Sequence, residues 1–249
     1  MPRTRFGRFN RLAAFVSFSA LALSAAMPGA SALTQSGASE HDGHVEAFKA
    51  RHVKKWDSYG VGLVDSYHNQ LVLSEGEASL GAMVVSPESY CGDIKVSFDA
   101  MALQPAAVLV ASLAVENLES DELSFPEDYD GNVDYMFDNL SMYNFILHPT
   151  AHNHPGPFLR RFPPIGDRLV AAAQEPYMEI GKYHSIEVSR QANDVSLSID
   201  GARIFGWHDE TPLERGHVIL RVRGTAHERG GVLIRNLEVE NQPNADECS

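Results

Sequence analysis

Positive charge is scarce in this chain. Twenty Lys and Arg stand against 33 Asp and Glu in 249 residues, and the formal net charge is −13. Nucleic-acid binders usually carry the opposite excess, so that partner class is excluded on charge. Long apolar runs are missing after the first 32 residues, which excludes a later membrane-spanning helix. Only 2 cysteines are present. They allow a single intramolecular pairing, or two free thiols. No internal repeat is visible. What remains is ordinary globular composition, 44% hydrophobic and 21% charged, which argues against disorder and for one domain.

The N-terminus reads as a secretory signal peptide. Arg3, Arg5, Arg8 and Arg11 form a basic region, Leu12 to Ala26 an apolar run, and Ala30-Ser31-Ala32 a cleavage site. The run is short and interrupted by serines, too weak for a membrane anchor. No two of these arginines are adjacent, so a twin-arginine signal is not favoured. Cleavage after Ala32 removes four arginines and no acid, and the negative excess deepens. The expected product is periplasmic or extracellular. There Cys91 and Cys248 meet oxidising conditions, and a bond between them would tie the tail to the body. The organisation expected is residues 1–32 as leader, 33–44 as a flexible lead-in, 45–241 as one domain and 242–249 as a polar tail.

Within the domain the hydrophobic period is two. One amphipathic helix is expected first, over Glu46 to Trp56, from apolar residues at 48, 50, 53 and 56. Ile94, Val96 and Phe98 then alternate with polar neighbours, as do Val195, Leu197 and Ile199, and Val218, Leu220 and Val222. Ala107 to Val115 is apolar throughout and reads as a strand buried on both faces. Asp200-Gly201 is the strongest hairpin signal. Many strands and almost no helix predict an all-β sandwich or jelly roll.

The order of four C-terminal segments narrows this. They are Lys182-Tyr183-His184-Ser185-Ile186-Glu187-Val188, Val195 to Gly201, Gly216-His217-Val218-Ile219-Leu220-Arg221, and Ile234-Arg235-Asn236-Leu237-Glu238-Val239. Met142-Tyr143-Asn144-Phe145, Phe158 to Pro164 and Trp207-His208-Asp209 support them. Together, over roughly residues 57–241, they resemble the YesU-like family of bacterial proteins of unknown function, within the concanavalin A-like superfamily. One departure is Leu147-His148-Pro149, where that family often has an arginine. The resemblance implies a galectin-like jelly-roll β-sandwich, here with one short N-terminal helix, and an association with polysaccharide breakdown. It supplies no agreed mechanism.

Two segments carry unusual chemistry. Glu116 to Asp138 holds nine acids and no Lys or Arg. Inside it Asp128, Asp130, Asn132 and Asp134 place oxygens at every second position, the ligand type calcium takes. Glycine falls at the wrong place for an EF-hand. The alternatives are a solvated acidic loop or an acidic pair for glycoside hydrolysis. The E-x-D-x-x-E and E-x-D-x-E patterns usual for retaining hydrolases of this superfamily are absent. No cofactor other than calcium is implied.

The second segment is cationic. Tyr143, Asn144, His148, His152, Asn153, His154, Arg160, Arg161 and Arg168 lie close together among five prolines, on a strand and the stiff loop after it. A local positive patch in so acidic a chain suits a carboxylate- or sulfate-bearing sugar. Four roles are open. His148, His152 and His154 can be zinc ligands. The segment can perform β-elimination on a uronate-containing polysaccharide. Arg160 or Arg161, with Asn144 or Asn153, would then neutralise the carboxylate, a histidine would take the C5 proton, and Tyr143 would protonate the leaving oxygen. It can belong to a non-catalytic carbohydrate-binding domain, with Trp207 stacking on a sugar and Asp209 beside it. Or its His and Arg can simply bond to backbone carbonyls. A hydrolase of modified sugars would need the acidic segment to fold back onto this loop.

Overall fold

The computed structural model describes residues 43–120, 122–149, 155–225, 228–243 and 248. Strand is what the period-two pattern becomes. In chain order the elements are β1 (His44–Phe48), α1 (Ala50–Val53), β2 (Asp57–Gly60), β3 (Gly62–Tyr67), β4 (Gln70–Glu75), β5 (Ala82–Val85), β6 (Tyr90–Cys91), β7 (Asp93–Ala102) and β8 (Val108–Asn117). There follow α2 (Val133–Asn139), β9 (Leu140–Leu147), β10 (Phe158–Phe162), β11 (Leu169–Ala172), β12 (His184–Gln191), β13 (Asp194–Ile199), β14 (Ala202–His208), β15 (Arg215–Arg223) and β16 (Gly231–Gln242).

Two antiparallel sheets result. The first runs β14-β13-β12-β7-β16-β4-β3, with β1 paired to β16. The second runs β11-β10-β9-β8-β15-β5-β2, with β6 paired to β15. The core lies between them. Val96, Phe98, Val188, Leu197 and Ile234 come from the first sheet, and Leu109, Leu113, Phe145, Leu147 and Leu220 from the second. Each such side chain contributes roughly 1.5–3 kcal/mol by leaving water. Cys91 and Cys248 are joined by a disulfide, with Cα atoms 5.4 Å apart.

The strand expected to be buried on both faces is β8, and it is. Its second cover is the acidic segment. Tyr129 and Met136 pack with Met83, Val115, Met142, Phe162 and Ile219 on the outer face of the second sheet, and Phe125 and Phe137 pack against them. The exposed side of the same segment carries Glu119, Glu122, Glu127, Asp128, Asp134 and Asp138. These six acids are therefore the solvated side of an apolar flap.

Two local expectations are corrected. The helix read over Glu46 to Trp56 is one turn, Ala50–Val53, and Glu46 to Phe48 belong to β1. The reason is long-range. β4 pairs only Gly231 to Ile234 of β16, and β1 takes up the same edge from Leu237 to Asn241. Phe48 still reaches Trp56, edge-on at 5.1 Å. A second helix, α2, also forms, capped where Asn132 Oδ1 accepts the N–H of Asp134 at 3.0 Å.

Candidate functional site

The register of β9 and β10 decides which candidate residues meet. Tyr143 lies opposite Arg161, and Asn144 opposite Arg160. Successive side chains on a strand take opposite faces. Tyr143 and Arg161 therefore share the inner side of the sheet, and Asn144 and Arg160 the outer side.

On the inner side a buried polar network forms. Tyr143 Oη donates to Asp209 Oδ2 at 2.7 Å and accepts the N–H of Leu213 at 2.8 Å. Arg161 Nε donates to the same Asp209 oxygen at 2.8 Å. The Arg161 guanidinium also bonds the carbonyls of Pro163 and Thr211, and Asp209 Oδ1 accepts the N–H of Thr211. Tyr143 and Asp209 are wholly buried. Burial, followed by the hydrogen bond to Asp209, pushes the Tyr143 hydroxyl well above its ordinary pKa. Tyr143, expected as a catalytic acid, and Arg161 and Asp209, expected as substrate contacts, thus spend their polar groups on this network. These three groups are saturated by one another and by backbone, and they face away from Arg160. Trp207 is half-buried on β14, 6.4 Å from the Tyr143 ring. It lines a separate hollow with Ile165, His208, Asp209, Glu210 and Thr211.

On the outer side the sheet leaves a cleft of about 260 Å³. One row of its register runs Arg221–Val110–Ile146–Phe158 across β15, β8, β9 and β10, and the next runs Ile219–Ser112–Asn144–Arg160. Three strand spacings put the outer members of a row roughly 14 Å apart at the backbone. Val110, Ile146 and Asn144 line the middle strands, Phe158 and Arg160 one side, and Arg221 and Arg223 the other. Val133 and Phe137 of the flap overhang it, and His148 and Thr225 complete it.

Electrostatically the cleft is one-sided. Three arginines line it, and no Asp or Glu among the described residues does. Arg160 lies over the rings of Phe158 and Phe137, at 5.1 and 5.8 Å from their centroids, and Phe137 stacks on Phe162 at 4.2 Å. Burial first, and then Arg168, lowers the pKa of Arg160. Burial also brings Arg221 down to about 10, which leaves it charged at neutral pH. Ser112 Oγ donates to Asn144 Oδ1 at 2.9 Å. With that oxygen engaged, Asn144 keeps its amide N–H groups for a ligand.

Of the residues picked from sequence, the cleft gathers Asn144, His148 and Arg160. His152, Asn153 and His154 lie outside the described residues. Asp130 Oδ1 accepts the N–H of Asn132, and Asn132 caps α2. Among the described residues no group of three or more His, Cys, Asp or Glu is placed to hold a metal. Sequence reading missed Arg221, Arg223, Phe137 and Phe158. Arginines at alternate positions of an apolar strand were the available signal for the first two.

Comparison with known proteins agrees with this architecture. No family model and no curated protein sequence matches the chain. Solved structures do. A Bacillus subtilis protein of unknown function with a galectin-like fold superposes with a TM-score of 0.65 at 18% identity, covering 77% of this chain and 91% of that one. Bacillus licheniformis β-glucanase gives 0.55 at 11% identity, covering 84% and 100%. The potassium-bound carbohydrate recognition domain of Emp46p gives 0.55 at 9%, covering 78% and 91%. The chain has the galectin-like, concanavalin A-like jelly-roll fold. Among the described residues no helix is long and apolar enough to cross a membrane.

Proposed function

We propose that this protein is a secreted carbohydrate-active jelly roll, akin to the YesU-like family, that binds an acidic, uronate-bearing saccharide in the outer cleft of the second sheet. The observation that carries this reading is the lining of the cleft, three arginines with no carboxylate in a chain of net charge −13. A low-dielectric concavity of one sign concentrates ligands of the other. Val110 and Ile146 offer the apolar C–H face of a pyranose a floor, Phe158 an aromatic edge and Asn144 hydroxyl-binding donors. The arginines take the carboxylate. The β-glucanase and carbohydrate recognition domain among the structural neighbours support a saccharide as the ligand class.

A second reading is β-elimination, favoured by His148 lining the same cleft as Asn144 and Arg160. On that reading the arginine and the amide neutralise the uronate carboxylate, and His148 takes the C5 proton. The C4–O bond then breaks, the leaving oxygen takes a proton from the His148 imidazolium or from water, and an unsaturated uronate remains. Tyr143 takes no part. Hydrolysis by a carboxylate pair has no support from the lining of this cleft.

The test is calorimetric titration with pectic, alginate, glucuronan and ulvan oligosaccharides at low and high salt, alongside ultraviolet absorbance of unsaturated uronates. Binding of an acidic oligosaccharide that weakens with salt supports the first reading. New absorbance supports the second. Equal affinity for a neutral glucan, unaffected by salt, overturns the proposal.

A further inference from the structure

Arg221 is an expensive residue to have kept. It lies on β15, two residues before its end and 3% exposed, and a buried cation is normally matched by an anion. Arg161, 6% exposed, follows that rule through Asp209. Arg221 does not, for it forms no ion pair among the described residues. Its Nη2 donates to the carbonyls of Leu80 and Gly131 at 2.6 and 2.8 Å, which hold the guanidinium without neutralising it. Its Nε–H is buried and has no hydrogen-bond partner among the described residues. Arg223, two positions on and on the same face, lines the same cleft and adds a like charge, while the buried Glu75, held by the N–H groups of Gly224 and Gly230, acts on Arg221 only at a distance and forms no ion pair with it.

The backbone around it is shaped for close approach. The positive-φ residue Gly81 lies against the guanidinium, and a Cβ there would come within 2.5 Å of Nη2. Gly131, from the acidic flap, packs on Gly81 in turn. An apolar residue at position 221 would fill the sheet at less desolvation cost. The arrangement is explained if the anion that pairs with it directly arrives with the ligand.

We infer that Arg221 is the specificity-determining residue of the cleft, supplying the fixed positive charge that selects the carboxylate of the bound sugar. This rests on the cleft being an acidic-saccharide site. Arg160, over its two aromatic rings, faces it from the opposite side.

The test uses the full chain, labelled with nitrogen-15, and the Nε–H resonance of Arg221 assigned through its own backbone amide. The probes are oligogalacturonate, oligoalginate and oligoglucuronate, each beside its carboxyl-reduced counterpart. An acidic oligomer should bind at least tenfold more tightly than its reduced form and should shift the Arg221 resonance. Arg221→Gln, checked by circular dichroism and melting, should lose that tenfold preference. An acidic oligomer that binds without moving the resonance overturns the assignment, and so does a folded Arg221→Gln that keeps the preference. If Arg221→Gln does not fold, the resonance in the unaltered chain decides. If no oligomer binds, the acidic-saccharide reading falls and the assignment with it.

Discussion

Tyr143 and Arg161 face each other across β9 and β10 and share one acceptor, Asp209 Oδ2, at 2.7 and 2.8 Å. The pair fastens the chain after β14 to the second sheet, since Asp209, Thr211 and Leu213 all bond to it or to each other. Its chemistry is that of a buried tie.

Removing that tie should cost stability and spare the cleft. Tyr143→Phe leaves the Leu213 N–H and one demand of Asp209 unmet, about 1–3 kcal/mol. Asp209→Ala strands the Arg161 charge and should cost about 3–5 kcal/mol. Urea unfolding measures both. Oligosaccharide affinity should stay within about twofold for a folded Tyr143→Phe, given the usual independence of separated sites. A large affinity loss at unchanged stability would return Tyr143 to the site.

The fold should also weaken in alkali. Burial, the leading cause in each case, raises the hydroxyls of Tyr129, to about 12, and of Tyr143 and Tyr90. Their folded pKa values exceed the value near 10 of an unfolded tyrosine. The stability they lend is thus fully present below pH ~10 and is lost as pH rises through the folded values. Tyrosinate absorbance followed with pH should show these three ionising only as circular dichroism reports unfolding. Reversible ionisation of all eight tyrosines near pH 10 in folded protein would contradict their burial.

The disulfide closes a loop of 157 residues between β6 and the tail. Chain entropy assigns such a crosslink about 5 kcal/mol as an upper estimate. Cys248→Ser should lower the urea midpoint with little change in oligosaccharide affinity, because Cys91 and Cys248 do not line the cleft. An unchanged midpoint would mean that the bond does not form.

Gly131→Ala tests the strap that holds Arg221. Gly131 has φ +91°, and a Cβ there would sit 2.1 Å from the Gly81 carbonyl oxygen. The conformation alone should cost more than about 1 kcal/mol, and the clash should displace the flap from Arg221. Thermal melting should show the loss, and acidic-oligosaccharide affinity should fall more than affinity for the reduced form. An equal fall for both would separate the strap from charge recognition.

Much of this was legible along the chain. Alternation in Ile94 to Phe98 and Val195 to Ile199, and the Asp200-Gly201 turn, pointed to the jelly roll, because a strand's burial pattern is written in its own residues. The all-apolar stretch from Ala107 to Val115 announced a doubly covered strand, though not that the acidic segment would cover it. The helix expected over Glu46 to Trp56 shortens to one turn, because β1 forms where β16 offers an unpaired edge. The candidate site divided in two. Asn144, His148 and Arg160 were picked by type and do share a cleft. Tyr143 and Arg161, equally plausible by type, went to the other face.

Composition and periodicity by themselves determined an acidic all-β chain with one concentrated cationic segment, since charge and hydrophobic period are properties of the linear sequence. Register and crossover decided the rest. A shift of one residue in the pairing of β9 with β10 would exchange Tyr143 for Asn144 in the cleft. Only the crossover that lays β15 beside β8 brings Arg221 to the site, 61 positions after Arg160 in the sequence. Local patterning carries no information about which distant strand completes a sheet, and that pairing gave this cleft its charge.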